Sequence, residues 1–384
     1  MLPYKDMFSK LFVYYRVIVN YIGVLVSYYR ISRKDSQCKS AVVLNFKKID
    51  RERNYAQIVF FFHECGYKVI LIHHPLFLGN MITYGKHMVN LPNVLLKFRP
   101  PDDADSVPYF YDTLSDRNTN YRKQIFISDD VFSFEKKLNE LELVPFPMIP
   151  RVYYQGQYRL IDTLKDTAKY IRLYFSGNQN KSDYDTPIFR TFLEKLNRVE
   201  IIETLRKELK PDEILLSDTT NGLSNQMEKH QNRFVCHYWT RVSLKSNRIE
   251  GRVSNDEWLP TLAKVDFFLA CPGFVQPMCH NQIEAMSLGV ILVLEHPEFF
   301  DPPLEHMVNC VVFHGKDELI ERVRWVLNAN EQTIARMREN VFKYYNDYLC
   351  PSSFCRKIEE KEEGEHTLYA ITSDSAYREL VLKQ

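Results

Sequence analysis

The sequence predicts an α/β chain of two Rossmann-like domains in series, with a ligand cleft between them. Three observations lead there. Short β-rich apolar runs alternate with amphipathic stretches, the pattern of βα units and a parallel sheet. The alternation occurs twice, interrupted by the proline-rich "VPFPMIPRVYYQ" at Val144–Gln155. The chain has 384 residues, the length of about two ordinary domains.

The first series offers strands at Ala41–Phe46, Lys68–His73, Val94–Phe98 and Gln124–Ser128, and a helix at Tyr55–Cys65 stopped by Gly66. The second series begins with "YIRLYFSGN", a strand from Tyr170 that ends in Gly177. A helix is expected over Thr191–Leu209. Strands follow at Glu213–Leu216, Arg233–His237, Asp266–Ala270, Val290–Leu294 and Cys310–Phe313. Ser254 and Glu257 form a capping-box signature before "WLPTLAKV", and Pro260 should bend that helix. "DELIERVRWVLN" and "EQTIARMRENVFKYYNDYL" read as amphipathic helices, "RKIEEKEEGEH" as a solvated charge run, and few strand signals follow Pro351. The expected divisions are 1–34, an apolar amphipathic helix; 35–165 and 166–345, the two domains; and 346–384, a helix and tail.

Hydrophobic residues make up 45% of the chain, enough for full cores. Lys and Arg total 50 against 49 Asp and Glu, so no global charge draws the chain to nucleic acid. Eight cysteines lie without any C-x-x-C spacing, which argues against a zinc site. Cys236 and Cys310 fall at strand positions and read as buried reduced thiols, so a cytoplasmic location is expected. The N-terminal "FSKLFVYYRVIVNYIGVLVSYYRISRK" has its longest uncharged run at Val17–Tyr29, short of the ~20 residues a spanning helix needs. It reads either as a helix packed on the domain or as one lying in a membrane interface, making peripheral contact with the cytoplasmic membrane face through residues 8–30.

Open α/β sheets bind ligands at the carboxyl ends of their strands. Two loops in the second series sit there: Ser176-Gly177-Asn178, and Pro272-Gly273 through Asn281. Glycine allows close backbone approach to a phosphate, and Lys181 or Arg190 would neutralise it. In the first series His73, His74, Asp129 and Asp130 follow strands and are the candidates for a catalytic base. Asp183-Tyr184-Asp185 has D-x-D spacing but lies in a loop before Pro187, where helix-start acidity explains it better; no metal is expected.

"IEGRVSNDEWLPTLAKVDFFLACPG", "NQIEAMSLGVILVLE" and "PPLEHMVNCVVFHGKDELIERVRWVL" together resemble the donor-binding half of GT-B nucleotide-sugar glycosyltransferases. "CPG", "EAMSLGVI" and an upstream "FSGN" also resemble exostosin-like transferases. The likeness covers roughly Tyr170–Leu349. It implies that 166–345 is the donor domain, 35–165 the acceptor domain, and that a sugar moves from a nucleotide-diphosphate donor to a glycan or lipid-linked acceptor in surface polysaccharide or glycoconjugate synthesis. The nucleotide sugar is a substrate, and no cofactor is implied. In that family the glutamate before Ala-Met binds the ribose hydroxyls; here it is Glu284, with a capping box from Asn281 as the other reading. Arg252, Pro272, Gly273, Gln276 and Asn281 complete the implied donor set. Gln276 departs from the pattern, because retaining members carry a glutamate there and an amide cannot act as a charged group. The alternatives are a two-Rossmann nucleotide-sugar epimerase and a non-catalytic nucleotide-sugar-binding protein.

Overall fold

A computed structural model describes the chain except residues 1–2, 32–39, 82–83, 103–106, 132–137, 186, 219–228, 230–231, 240–251 and 373–384. Cys38, the boundary near residue 34 and the end of the expected tail lie outside the described residues. The described chain divides into two compact units. One holds Met1–Ser133, Leu141–Tyr154 and Cys350–Thr372; the other is chiefly Gln155–Leu349.

Among the described residues the strands of the first unit are β1 (Ala41–Asn45), β2 (Lys68–Ile72), β3 (Val94–Lys97), β4 (Tyr109–Tyr111) and β5 (Lys123–Ser128). Those of the second are β6 (Ile171–Asn178), β7 (Ile214–Ser217), β8 (Phe234–Trp239), β9 (Val265–Leu269), β10 (Ile291–Leu294) and β11 (Cys310–Val312). The chain then returns to the first unit and adds β12 (Gly364–Tyr369). Each unit carries one six-stranded sheet, in the orders β12-β5-β4-β1-β2-β3 and β11-β10-β9-β6-β8-β7, and every ladder is parallel.

The burial explains the apolar runs. All five residues of β9 and all four of β10 are buried, as a parallel strand covered on both faces requires. The helix Glu52–Glu64 ends at Cys65, and Gly66 takes φ +80, the left-handed stop that glycine supplies. The helix Asn255–Ala263 starts at Ser254, whose Oγ accepts from the Glu257 amide, and runs through Pro260. Cys236 and Cys310 are buried in strands, and the seven described cysteines are free thiols.

Three expectations need correction. The helix expected over Thr191–Leu209 is two helices, Ile188–Phe192 and Arg198–Glu208. Glu194 takes φ 54, and Asn197 restarts the chain through a reciprocal capping box with Glu200, so local side-chain bonding overrides the apolar periodicity. β12 arises where the sequence showed few strand signals. Its residues Glu365, His366 and Thr367 are polar because only Leu368 of the strand is buried, so an edge strand lacks the apolar run of a central one. β4 has only three residues, too few for periodicity to register.

Candidate functional site

In the second sheet β6 lies centrally, with β8 on one side and β9 on the other. The connection from β8 to β9 therefore crosses β6, so strand order reverses at the β6/β9 carboxyl edge, the position at which open α/β sheets generally take their ligands. The register pairs Leu173 with Phe267 and Tyr174 with Phe268, so the loops after Gly177 and after Ala270 open at this one edge.

Arg198 joins those loops. It is buried, at the first turn of the helix Arg198–Glu208. Its Nε and Nη2 donate to the Pro272 carbonyl at 3.1 and 2.8 Å, and its Nη1 donates to the Asn178 carbonyl at 3.4 Å. The guanidinium also lies 3.9 Å from the Tyr184 ring centroid. Among the described residues it forms no ion pair, so its charge faces carbonyls, a ring and the Cys279 sulfur at 3.6 Å. Sequence reading missed Arg198, because an arginine in an amphipathic helix looks like any solvated cation.

The cations chosen from the sequence behave otherwise. Lys181 is exposed and paired with Glu203 at 2.5 Å, and Arg190 is exposed and paired with Glu200. Both acids raise their partners' pKa. Each of the two cations expected to neutralise a diphosphate thus already faces a carboxylate. Arg252 is exposed, its Nη2 3.5 Å from Asn255 Oδ1. Asp183 accepts from the Asn178 and Asn180 amides, and Asp185 from Asn197, so the D-x-D pair stitches the loop.

The glycines are needed for packing. A Cβ on Gly177 would stand 2.6 Å from Phe175 Cζ, and the glycine's φ lies outside the left-handed range. A Cβ on Gly273 would stand 2.8 Å from the Gln276 carbonyl, which accepts from the Gly273 amide at 2.9 Å in a tight turn. Ser176 Oγ lies 3.3 Å from His237 Nδ1, both buried.

Glu284 lies in the helix His280–Ser287, whose N-cap is Cys279. The capping box with Asn281 is therefore absent: Asn281 already lies inside the first turn, and Glu284 lies beyond it. Glu284 is fully buried, and its Oε2 accepts from Trp258 Nε1 at 2.6 Å. Gln276 Oε1, in the loop before this helix, and Asn281 Oδ1, in its first turn, are buried acceptors without a hydrogen-bond partner among the described residues, and the donor Gln179 Nε2 after β6 is in the same state. Buried polar atoms left in this state are few in native proteins, and each calls for a partner.

At the next strand end, Glu295 accepts from the Gly315 and Leu196 amides, both at 2.7 Å, and burial raises its pKa. His296 is buried, and Gln282 Nε2 donates to its Nε2 at 3.0 Å; burial pushes its pKa down to about 3.

In the first unit the four base candidates separate. Asp129 is buried and its Oδ1 pairs with the fully buried Arg51 at 2.5 Å and with Lys48 at 3.7 Å. This pairing ties the loops after β1 and β5 and sets a buried guanidinium against the carboxylate of Asp129, one of the four base candidates. Asp130 is exposed, and its amide donates to Ser128 Oγ at 3.1 Å. His73 is buried, with Tyr21 Oη 2.9 Å from its Nδ1 and Phe98 4.2 Å from its ring. His74 is half-buried beside Asn45, Nε2 to Oδ1 2.9 Å. Burial lowers the pKa of both histidines. Asp112, fully buried, accepts from the Lys47 and Lys48 amides and the Tyr55 hydroxyl and fixes the loop after β1.

No family model matches the chain, and no curated protein matches it by sequence. It is similar to several solved structures. HepE from Anabaena, in complex with UDP, shares 12% identity over 83% of this chain and 98% of that one, with TM-score 0.40. A glycosyltransferase from Rickettsia africae shares 8% over 85% and 100%, with TM-score 0.45. A Listeria monocytogenes protein described as a UDP-N-acetylglucosamine 2-epimerase shares 11% over 86% and 99%, with TM-score 0.35. The α/β architecture of two parallel six-stranded sheets stands on the chain's own strand pairing.

Proposed function

We propose that the chain is a glycosyltransferase that binds a nucleotide-diphosphate sugar at the carboxyl edge of the second sheet and passes the sugar to a glycan or lipid-linked acceptor. The observation that carries this reading is the pair of buried, unpartnered acceptors Gln276 Oε1, in the loop that Arg198 ties to the end of β6, and Asn281 Oδ1, in the first turn of the helix that follows that loop. Sugar and ribose hydroxyls donate to acceptors of this kind. The guanidinium of Arg198 supplies the positive charge that a diphosphate requires. Glu284 follows in the same helix as Asn281, and its carboxylate accepts two hydroxyls of a vicinal diol once Trp258 moves aside.

The test is calorimetric titration with UDP and GDP, followed by incubation with UDP- and GDP-hexoses with and without oligosaccharide or polyprenyl-phosphate acceptors. UDP occurs in the similar HepE structure and is the first probe. Binding followed by acceptor-dependent release of UDP supports the reading. Epimerisation of the sugar without acceptor supports the epimerase, and binding of neither nucleotide rejects both.

The reading includes a membrane-side acceptor, supported by the N-terminal helix Pro3–Arg30. Val17, Val24 and Tyr28 are buried, and the helix packs on the helices Pro75–Asn80 and Tyr84–Val89. Its other face exposes Phe12, Tyr15, Val19, Ile22, Val26 and Tyr29, with Arg16 and Arg30 also exposed. That is the pattern of a helix lying in a lipid interface. Among the described residues no helix is long and apolar enough to cross a membrane.

A further inference from the structure

The helices that carry Trp258 and Glu284 also end together. Asn255–Ala263 leads into β9, and His280–Ser287 leads into β10. β10, β9 and β6 are neighbours in one parallel sheet. Both helices therefore finish at its amino edge, beside the residues that enter β6. The loops after Gly177 and Ala270 open at the opposite edge.

The last carbonyls of a helix have no amide of their own helix to accept from. At the end of His280–Ser287, Gly289 takes φ 67. Its amide donates to the Met286 carbonyl at 3.0 Å, and the Val290 amide to the Ala285 carbonyl at 3.1 Å. Neither bond uses the Leu288 carbonyl. At the end of Asn255–Ala263, the Lys264 amide donates to the Thr261 carbonyl at 3.2 Å. The Lys264 carbonyl accepts from the Tyr170 and Ile171 amides at 2.9 and 3.0 Å. These bonds leave out the Ala263 carbonyl. One side chain takes both: Lys169 Nζ donates to the Ala263 and Leu288 carbonyls, each at 3.0 Å.

A cation suits this place, because two helix carboxyl ends bring partial negative charge to it. Lys169 is half-buried. The charged groups around it are engaged elsewhere. Asp266 on β9 is paired with Arg338 and lies 3.6 Å from Arg172, which is itself paired with Glu331. The Lys264 ammonium lies 5.8 Å from the centroid of the Tyr170 ring. Burial and the Arg338 guanidinium push the Lys169 pKa down to about 7, with Asp266 acting against them.

Trp258 stands five residues before Ala263 and Glu284 four before Leu288. At ~1.5 Å per residue that is roughly 7.5 and 6 Å along the helices. The two helices are thus joined twice, by the indole–carboxylate bond and, about one turn further on, by Lys169. Pro260 removes one internal bond from the nine-residue helix Asn255–Ala263, so that helix depends more on outside ties.

We propose that Lys169 is a positioning residue for the nucleotide site: by closing the ends of these two helices it fixes the Glu284 carboxylate and the Trp258 indole against each other, from the edge of the sheet remote from the ligand. The inference rests on the transferase reading of the second unit, which supplies the ligand that Glu284 takes. Lys169 acts through the helices and not by contact with the nucleotide.

The experiment pairs indole NMR of the 15N-tryptophan-labelled chain with UDP calorimetry. Both are run at about pH 6, where the Lys169 ammonium keeps its charge. The Trp258 resonance is assigned by its loss in Trp258→Phe. Lys169→Met, similar in length but without a donor, should move that resonance toward free indole and leave the resonance of Trp325 in place. UDP affinity should fall roughly three- to thirtyfold. In the Glu284→Gln background the same substitution should cost less than about twofold, since Lys169 acts through that carboxylate. Lys169→Arg keeps charged donors for both carbonyls and should return the resonance and most of the affinity. If Lys169→Met does not fold, Lys169→Gln, a shorter neutral donor, is read by the same measures.

An unmoved Trp258 resonance in the folded variant, unchanged or tighter UDP binding, or an equal loss of affinity with and without Glu284→Gln overturns the proposal. So does a Lys169→Arg chain no better than the neutral variant. Failure of UDP to bind the wild-type chain rejects the transferase reading itself. The indole resonance is recorded without nucleotide and reports on the Lys169 tie separately.

Discussion

The indole N–H of Trp258 donates to the carboxylate of Glu284 at 2.6 Å, and the carboxylate is fully buried. The glutamate proposed to take two ribose hydroxyls is thus already held by a donor of its own chain. UDP binding should displace or share that donor, so UDP should change the tryptophan fluorescence of the wild type and leave that of Trp258→Phe largely unchanged. Glu284→Gln should weaken UDP binding by about 1–3 kcal/mol, the loss of a charge-assisted bond. Trp258→Phe should destabilise the fold by a similar amount in urea titration, because the buried carboxylate loses this donor. Equal UDP affinity in wild type and Glu284→Gln would reject the ribose role.

Arg198 is expected to organise both loops. Arg198→Lys keeps the charge, but an ammonium cannot reproduce the planar fork that spans the Pro272 and Asn178 carbonyls and stacks on Tyr184. Arg198→Lys should lower stability by about 1.5–3 kcal/mol and weaken UDP binding at least tenfold. Urea titration and calorimetry read the two effects. A variant that is less stable but binds UDP normally would limit Arg198 to a structural tie.

Gly177 separates packing from phosphate contact. Gly177→Ala should lose about 1–3 kcal/mol, since its Cβ would press on the Phe175 ring. Adding Phe175→Leu should restore most of that loss. UDP affinity decides the rest: recovery in the double variant means the glycine serves Phe175, and persistent loss means the phosphates lie against residue 177.

His296 should make the second unit acid-sensitive. Its Nε2 accepts from Gln282, so protonation breaks that bond in a buried site. Its pKa is depressed from the ordinary 6.5 to about 3 in the folded chain. The unfolded chain therefore binds a proton first, and the contribution present above pH 6.5 is lost as pH falls toward 3. In His296→Gln that loss is absent. The stability gap between wild type and variant should narrow steadily from pH 7 to pH 4, where the fold still allows urea titration. A constant gap would mean that His296 titrates normally.

The exposed face of the N-terminal helix should hold lipid. Flotation with phosphatidylglycerol vesicles should carry the wild type, and Ile22→Ser with Tyr29→Ser should abolish it without changing the melting temperature, because both side chains are exposed. Wild-type protein that stays at the bottom of the gradient would count against the membrane-side acceptor.

How far the sequence reached can be argued from particular elements. The run "VDFFLA" marked β9 because a strand buried on both faces is predominantly apolar, its one charge, Asp266, being paired with Arg338. Gly66 marked a helix end because a left-handed residue favours glycine. Those are local constraints, and they determined the two-series α/β organisation and the loops after Gly177 and Ala270. β12 escaped, since an edge strand with polar residues has no local signature and forms only by pairing with β5, more than two hundred residues away in the chain. The site residues divide the same way. Lys181 and Arg190 were attractive as nearby cations, but Glu203 and Glu200, brought close by the next helix, claim them. Asp129 followed a strand as a base should, but the buried Arg51 stands against it. Arg198 gave no signal at all, because its role depends on which carbonyls the folded chain sets within hydrogen-bonding distance. Strand and helix ends follow from residue type and spacing, whereas the partner of a charge or an amide is decided by contacts distant in sequence, which only the tertiary structure creates.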